Sequence, residues 1–251
     1  MKYLLEPDKG IFVGIREDFS CYTSEPHYRM RDIRQLKLRA FSVQAWFVDL
    51  DDNLCDSPAK DIAKNAVGTS HFSLPYLSWA FHTALQLARH GKKAESETWN
   101  AYVQHFLRSP EALDEVQKRF TPATARQSLY SGVLELYPIF SHTASCHLVT
   151  RNIKEVADAY TQALRFDGNF PEAENKGRVV EDFILKNPTL NYFGVDGDSQ
   201  EDAEMIDVLK FHGRKTLGIY SMRSHRETLH PSFDVGVSKN RTGLVSLLTD
   251  F

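Results

Sequence analysis

The stretch Phe41–Leu54, FSVQAWFVDLDDNL, decides the fold. Val43, Ala45, Trp46, Phe47 and Val48 make a nearly continuous apolar run that stops abruptly at Asp49, Asp51 and Asp52. A strand apolar toward both sides is buried on both faces, as in a parallel sheet covered by helices. Similar runs follow: CHLVT (146–150) ends in Thr150, NYFGVDGD (191–198) ends in Asp196 and Asp198, and KTLGIYS (215–221) and FDVGV (233–237) come after. Helical patterns lie between them. NIKEVADAYTQALRF (152–166) sets Ile153, Val156, Ala157, Tyr160 and Leu164 on one face, and EDAEMIDVLKFHG (201–213) closes on Gly213, a natural C-terminal cap. Strands alternating with helices predict an α/β fold, a Rossmann-like parallel sheet core covered by helices with right-handed crossovers.

Outward from the first strand, residues 56–143 read as almost all helix. Ser57-Pro58, Ser109-Pro110 and Thr121-Pro122 each set a capping residue before a proline. Four apolar-periodic runs follow: 74–91, 95–108, 109–120 and 123–137. One crossover needs one helix, so the remainder is an inserted all-helical cap at 56–143, with the core at 1–55 and 144–251. Ligands of open α/β sheets sit beyond the carboxyl ends of the strands, where this insert begins. Residues 1–40 form an N-terminal extension that could add an edge strand or cover the sheet, and Ile11, Val13 and Ile15 alternate as a short strand would. The basic stretch HYRMRDIRQLKLR (27–39) reads as a solvated helix face, with a phosphate-steering face as the alternative.

Composition narrows the class. The chain has 251 residues, 42% of them hydrophobic, enough for a substantial core. Its 30 Lys and Arg against 33 Asp and Glu give a net charge of −3, which argues against binding a phosphate backbone. Cys21, Cys55 and Cys146 cannot all pair, so a reducing, cytoplasmic setting is expected. No leader-like apolar run opens the sequence, and none reaches the roughly 18 residues of a membrane span. The histidines and cysteines have no zinc-ligand spacing.

The strand-end residues suggest a chemistry. Asp49 and Asp51 follow the first strand, Thr150 ends the second, Lys176 opens a helix in AENKGRVVEDFILK (173–186), and Asp198 and Asp202 follow a later strand in GDSQED. Crowded carboxylates repel one another unless a cation neutralises them. Hard oxygen ligands in small number suit Mg2+, which keeps some waters and pairs with phosphate. A carboxylate can attack phosphorus, and a second one two residues on can protonate the leaving oxygen. A hydroxyl and a lysine would hold the phosphoryl oxygens.

In order and spacing these residues resemble the haloacid dehalogenase superfamily of aspartate-nucleophile phosphatases with an α-helical cap. WFVDLDDNL resembles the first motif, hhhDxDx(T/V)L; CHLVT the second; Lys176-Gly177 the third; and Gly197-Asp198-Ser-Gln-Glu-Asp202 the fourth, GDxxxD. The resemblance covers about residues 43–240 and implies a role for each position. Asp49 would be nucleophile and Mg2+ ligand. Asp51 would be general acid/base and lend its backbone carbonyl to the metal. Thr150 and Lys176 would bind the phosphoryl group, with Arg151 and Asn152 beside them. Asp198 would ligate the metal, and Asp202 would complete or orient its shell. Asn53 departs from the usual Thr or Val. An acid at position 51 favours phosphate chemistry over dehalogenation. The implied activity is hydrolysis of a small phosphorylated metabolite by a Mg2+-dependent monoesterase, with no nucleic-acid or membrane partner and with pairing of two copies through the apolar insert an option. A phosphotransferase or phosphomutase, and a non-catalytic phosphate-binding regulatory protein, are the alternatives.

Overall fold

In the computed structural model, which describes residues 2–6, 11–15, 30–58, 81, 85, 110–222 and 229–249, the apolar run at 45–48 lies in the middle of an eight-stranded sheet. Elements are numbered here among the described residues. The strands are β1 (Lys2–Glu6), β2 (Ile11–Ile15), β3 (Ala45–Val48), β4 (Ser145–Val149), β5 (Gly168–Phe170), β6 (Tyr192–Gly197), β7 (Lys215–Met222) and β8 (Val235–Ser238). The helices are α1 (Met30–Ser42), α2 (Pro110–Arg119), α3 (Pro122–Ser128), α4 (Val133–Ser141), α5 (Lys154–Leu164), α6 (Lys176–Lys186), α7 (Gln200–Phe211) and α8 (Thr242–Thr249).

The strand order is β1-β2-β8-β7-β6-β3-β4-β5. The six strands from β8 to β5 are parallel. From β3 the chain winds to β4 and β5 on one side, then returns to β6, β7 and β8 on the other. That reversal makes the carboxyl ends of β3, β4 and β6 the switch point, where such sheets hold ligands. The expected Rossmann-like core is therefore present.

Alternation along β3 builds two layers. Trp46 and Val48 point into one apolar cluster with α3, α4, α5 and α8, where Trp46 stacks on Phe140 at 4.3 Å. Ala45 and Phe47 point into the other, with Val180 and Ile184 of α6 and Met205, Ile206 and Leu209 of α7. Period two puts successive side chains on opposite faces, so a run apolar throughout needs both layers.

The N-terminal extension adds β1 and β2 to the sheet, β2 lying antiparallel against β8. In α1, Leu36 and Ala40 are buried. Arg39, within the basic stretch, is not simply solvated: its guanidinium donates to the Tyr192 hydroxyl and the Thr216 carbonyl, both at 2.8 Å.

The expected cap at 56–143 is described in part. Its runs at 74–91 and 95–108 lie outside the described residues, apart from residues 81 and 85. By packing, α3 and α4 belong with the core layer: Ala125, Val133, Leu136, Tyr137 and Phe140 are buried in the cluster that holds Trp46 and Cys146. The run 123–137 is also two helices rather than one. Gly132 breaks it with φ at +82°, and a Cβ there would come within 2.4 Å of the Thr242 backbone nitrogen. Thr121 caps α3 as expected, in a capping box with Thr124.

Candidate active site

Each acid is delivered by a strand end and held by a neighbouring element. Asp49 follows β3, and its N–H donates to the Asp196 carbonyl at 2.9 Å, extending the β3–β6 ladder by one bond. Asp198 follows β6. Asp202 is the third residue of α7 and closes a capping box with Ser199. Its Oδ2 accepts from the N–H groups of Asp198 and Ser199, both at 3.0 Å, and from the Ser199 hydroxyl at 2.6 Å. The approach requires Gly197, where a Cβ would sit 2.3 Å from the Asp202 carboxyl carbon.

Lys176 is the first residue of α6 and is buried. A cation at a helix N-terminus opposes the helix dipole. Two carboxylates compensate: its ammonium lies 2.6 Å from Asp49 Oδ1 and 2.7 Å from Asp202 Oδ1. Burial alone would pull the lysine down, but Asp202 and Asp49 outweigh it and push it above its ordinary value. Asp49 is held well above the usual carboxylate range, first by burial and then by repulsion from Asp202, with Lys176 opposing.

Asp51 takes a different environment. The Ser57 hydroxyl donates to its Oδ1 at 2.6 Å, and the Asn152 amide and, at 3.5 Å, the Thr150 hydroxyl donate to its Oδ2. Burial raises Asp51, while the Ser57 hydrogen bond, Lys176 and Asn152 hold it down. The hydroxyl of Thr150 also accepts from the Asn152 N–H at 3.1 Å.

The structure thus brings Asp49, Asp51, Thr150, Asn152, Lys176, Asp198 and Asp202 to one sheet edge. Asn152 is turned toward Asp51, and Arg151 pairs with Glu201. Ligand oxygens of Asp49, Asp198 and Asp202 lie within 4.8 Å of one another. Three carboxylates gather in a largely buried place. That donor set fits a hard divalent cation.

Sequence reading missed the layer beneath. Asn53, Asp196, Ser221, Arg241 and Tyr137 are buried in one hydrogen-bonded group. Burial raises Asp196, and the Arg241 guanidinium and Tyr137 hydroxyl oppose the rise. The SxxD spacing of Ser199 and Asp202 carried a legible capping signal. Arg241, in the loop between β8 and α8, carried none.

No protein-family model matches this chain, and no curated protein matches it. Solved structures do match. A cytosolic 5'-nucleotidase IIIB bound to cytidine aligns at a TM-score of 0.56 with 12% identity, covering 92% of this chain and 93% of that one. A protein of Vibrio cholerae assigned as a phosphoserine phosphatase aligns at 0.53 with 10% identity, covering 87% and 70%. A protein of Burkholderia xenovorans LB400 assigned as a haloacid dehalogenase-like hydrolase aligns at 0.52 with 12% identity, covering 81% and 95%. At such identities the likeness is one of fold. Among the described residues no helix is long and apolar enough to cross a membrane.

Proposed function

We propose that this chain, which has the fold of the haloacid dehalogenase-like hydrolases, is a Mg2+-dependent phosphatase that hydrolyses a small phosphomonoester through Asp49. One observation carries the reading. At the switch point of the sheet, Asp49 meets a buried lysine at 2.6 Å and lies within 4.8 Å of Asp198 and Asp202.

The residues divide the work. Lys176 occupies Oδ1 of Asp49, so Oδ2 attacks phosphorus and the bond to the leaving oxygen breaks. Asp51 gives its proton to that oxygen, and burial favours the protonated form needed for the step. Asp51 then takes a proton from the water that cleaves the aspartyl-phosphate, releasing phosphate and restoring Asp49. Thr150 and Lys176 hold the phosphoryl oxygens. Asn152 and Ser57 hold Asp51 in place. Arg151, next to Thr150 and paired with Glu201, would meet a second anionic group of the substrate.

Asp49 and Asp198 would hold the Mg2+. Asp202, whose Oδ2 also accepts from the Asp198 and Ser199 N–H groups, would complete or orient that shell, and the Asp51 backbone carbonyl would join it. When bound, the cation would offset the crowded carboxylates, keep Asp49 ionised and draw charge from the phosphoryl group.

The test is phosphate release from p-nitrophenyl phosphate and a panel of phosphorylated metabolites with Mg2+. Turnover that disappears in Asp49→Asn is the expected result. A wild-type chain no faster than Asp49→Asn on every substrate would sink the reading.

A further inference from the structure

Beneath the reacting carboxylates lies a polar group with no role in the chemistry above, and it is closed to water. Asn53, Asp196, Ser221 and Arg241 are each 0% exposed. The Asn53 amide uses all four of its hydrogen-bonding positions. Its Nδ2 donates to the Asp49 carbonyl at 3.0 Å and to the Asp196 carbonyl at 3.1 Å. Its Oδ1 accepts from Arg241 Nη2 at 2.7 Å and from the Ser221 hydroxyl. This orientation is forced, since a guanidinium only donates and a backbone carbonyl only accepts. Arg241 Nη2 also donates to Asp196 Oδ1 at 2.8 Å and to Ser221 Oγ at 2.5 Å. Its Nη1 donates to the Ser238 carbonyl at 3.2 Å, and Tyr137 donates to Asp196 Oδ2 at 2.7 Å.

Two features separate this group from ordinary core filling. First, a fully buried ion pair is weak evidence for stability, because apolar side chains of similar volume commonly serve as well. Second, the partners are strand ends. Asn53 joins the carbonyl of Asp49, at the end of β3, to that of Asp196 in β6, two residues before Asp198. Arg241 joins the same amide to β7 at Ser221 and to β8 at Ser238. A Thr or Val at position 53, usual in the resembling motif, has too few donors to bind two carbonyls while accepting from a guanidinium.

We infer that Asn53, locked by the buried Arg241–Asp196 pair, is a positioning residue that fixes Asp49 relative to the Asp198 loop. This rests on the phosphatase reading. The clamp touches neither substrate nor phosphoryl group. It sets the distance between the attacking carboxylate and the loop that bears the other acids, and displacement by about 1 Å costs on the order of 10²-fold in rate.

The experiment compares the wild-type chain with Asn53→Thr and with the charge-balanced double variant Asp196→Leu/Arg241→Met. Steady-state kinetics on p-nitrophenyl phosphate with Mg2+, thermal melting and Mg2+ calorimetry are read in parallel. The double variant is expected to melt at or above the wild-type temperature while kcat falls about 10²-fold and KM stays within about threefold. Mg2+ should bind it at least about tenfold more weakly, as Asp49 and Asp198 lose their register. Asn53→Thr should melt like wild type and fall between the two in kcat. Wild-type kcat in either folded variant overturns the inference, as does a rate loss matched by a fall in melting temperature. If the double variant does not fold, Asn53→Thr alone decides. An inactive wild-type chain sinks the phosphatase reading, and the Mg2+ affinities then still judge the clamp; equal affinities overturn it.

Discussion

Two clusters a few residues apart use the same side-chain chemistry to opposite ends. In the upper one three carboxylates gather, Asp49, Asp198 and Asp202, and Lys176 pairs with Asp49 and Asp202. In the lower one, Asp196 pairs with Arg241 and accepts from the Tyr137 hydroxyl. The first gathers acids and opens at the edge through the partly exposed Asp198. The second is balanced and sealed. Acids gathered at an open edge can take a cation, whereas a sealed ion pair holds its neighbours still.

The largest expected effect tests that contrast with one substitution made in both places. Asp49→Asn should lower kcat by at least about 10³-fold, because it removes the nucleophile. In metal-free protein it should also raise the melting temperature. Burial and Asp202 penalise the Asp49 carboxylate more than Lys176 repays, and Lys176 keeps Asp202. Asp196→Asn should do the reverse to stability. It leaves Arg241 buried without a counter-charge, at a cost of about 3–5 kcal/mol, or roughly 6–20 °C in melting temperature. Melting curves of the two variants with metal chelated decide it. A shared sign would erase the distinction between the clusters.

Next comes the cation itself. Mg2+ at about a hundred times its dissociation constant should stabilise the wild-type chain by about 2.7 kcal/mol. Asp198→Asn should lose most of that gain while melting close to wild type without metal. A metal-induced shift that survives this substitution would move the ion elsewhere.

How much of this could be read in advance also follows the two clusters. Asp49, Asp51, Thr150, Asp198 and Asp202 were legible because each ends an apolar run or opens a helix, so position along the chain announces position at the sheet edge. Lys176 was legible only in company, since a lysine at a helix start is usually solvated. In the lower cluster Asp196 and Asn53 stood out by position, but the bonds that join them to Arg241 were not legible. Asn53 and Arg241 are 188 residues apart, Arg241 follows no periodic pattern, and a long-range hydrogen bond leaves no trace in local spacing. The same reason hid β5: Gly168–Phe170 is three partly buried residues on an edge, too short to show a period. The helix break at Gly132 did carry a signal, the Ser131-Gly132 pair, which the apolar spacing on either side outweighed.

A smaller effect sharpens the roles within the upper cluster. Asn152 donates to Asp51 and so favours its ionised form. Removing that bond in Asn152→Ala lets burial raise Asp51 further. As the acid of the first step, Asp51 must be protonated, so its rate falls as pH rises through its pKa. The alkaline limb of the rate profile should therefore move to higher pH, with kcat at neutral pH lower by about tenfold from lost alignment. A limb that moves to lower pH would contradict the assignment of Asp51 as the acid.

The smallest effect lies away from both clusters and calibrates them. His147 in β4 packs among Phe183, Phe170 and Phe47, at 4.9, 6.0 and 6.1 Å between ring centres. Burial lowers its pKa below the ordinary 6.5, and Asp167 only partly offsets this. Above that value the ring is neutral in both folded and unfolded chains, and its contribution is intact. As pH falls from 6.5 through the folded pKa, the unfolded chain takes up the proton first and stability is lost. His147→Leu keeps an apolar side chain there and removes the proton. Its melting temperature should fall less between about pH 7.5 and 5.5 than that of the wild-type chain. Equal falls would show that the ring is protonated as readily folded as unfolded. Acid sensitivity would then lie in other groups than this ring.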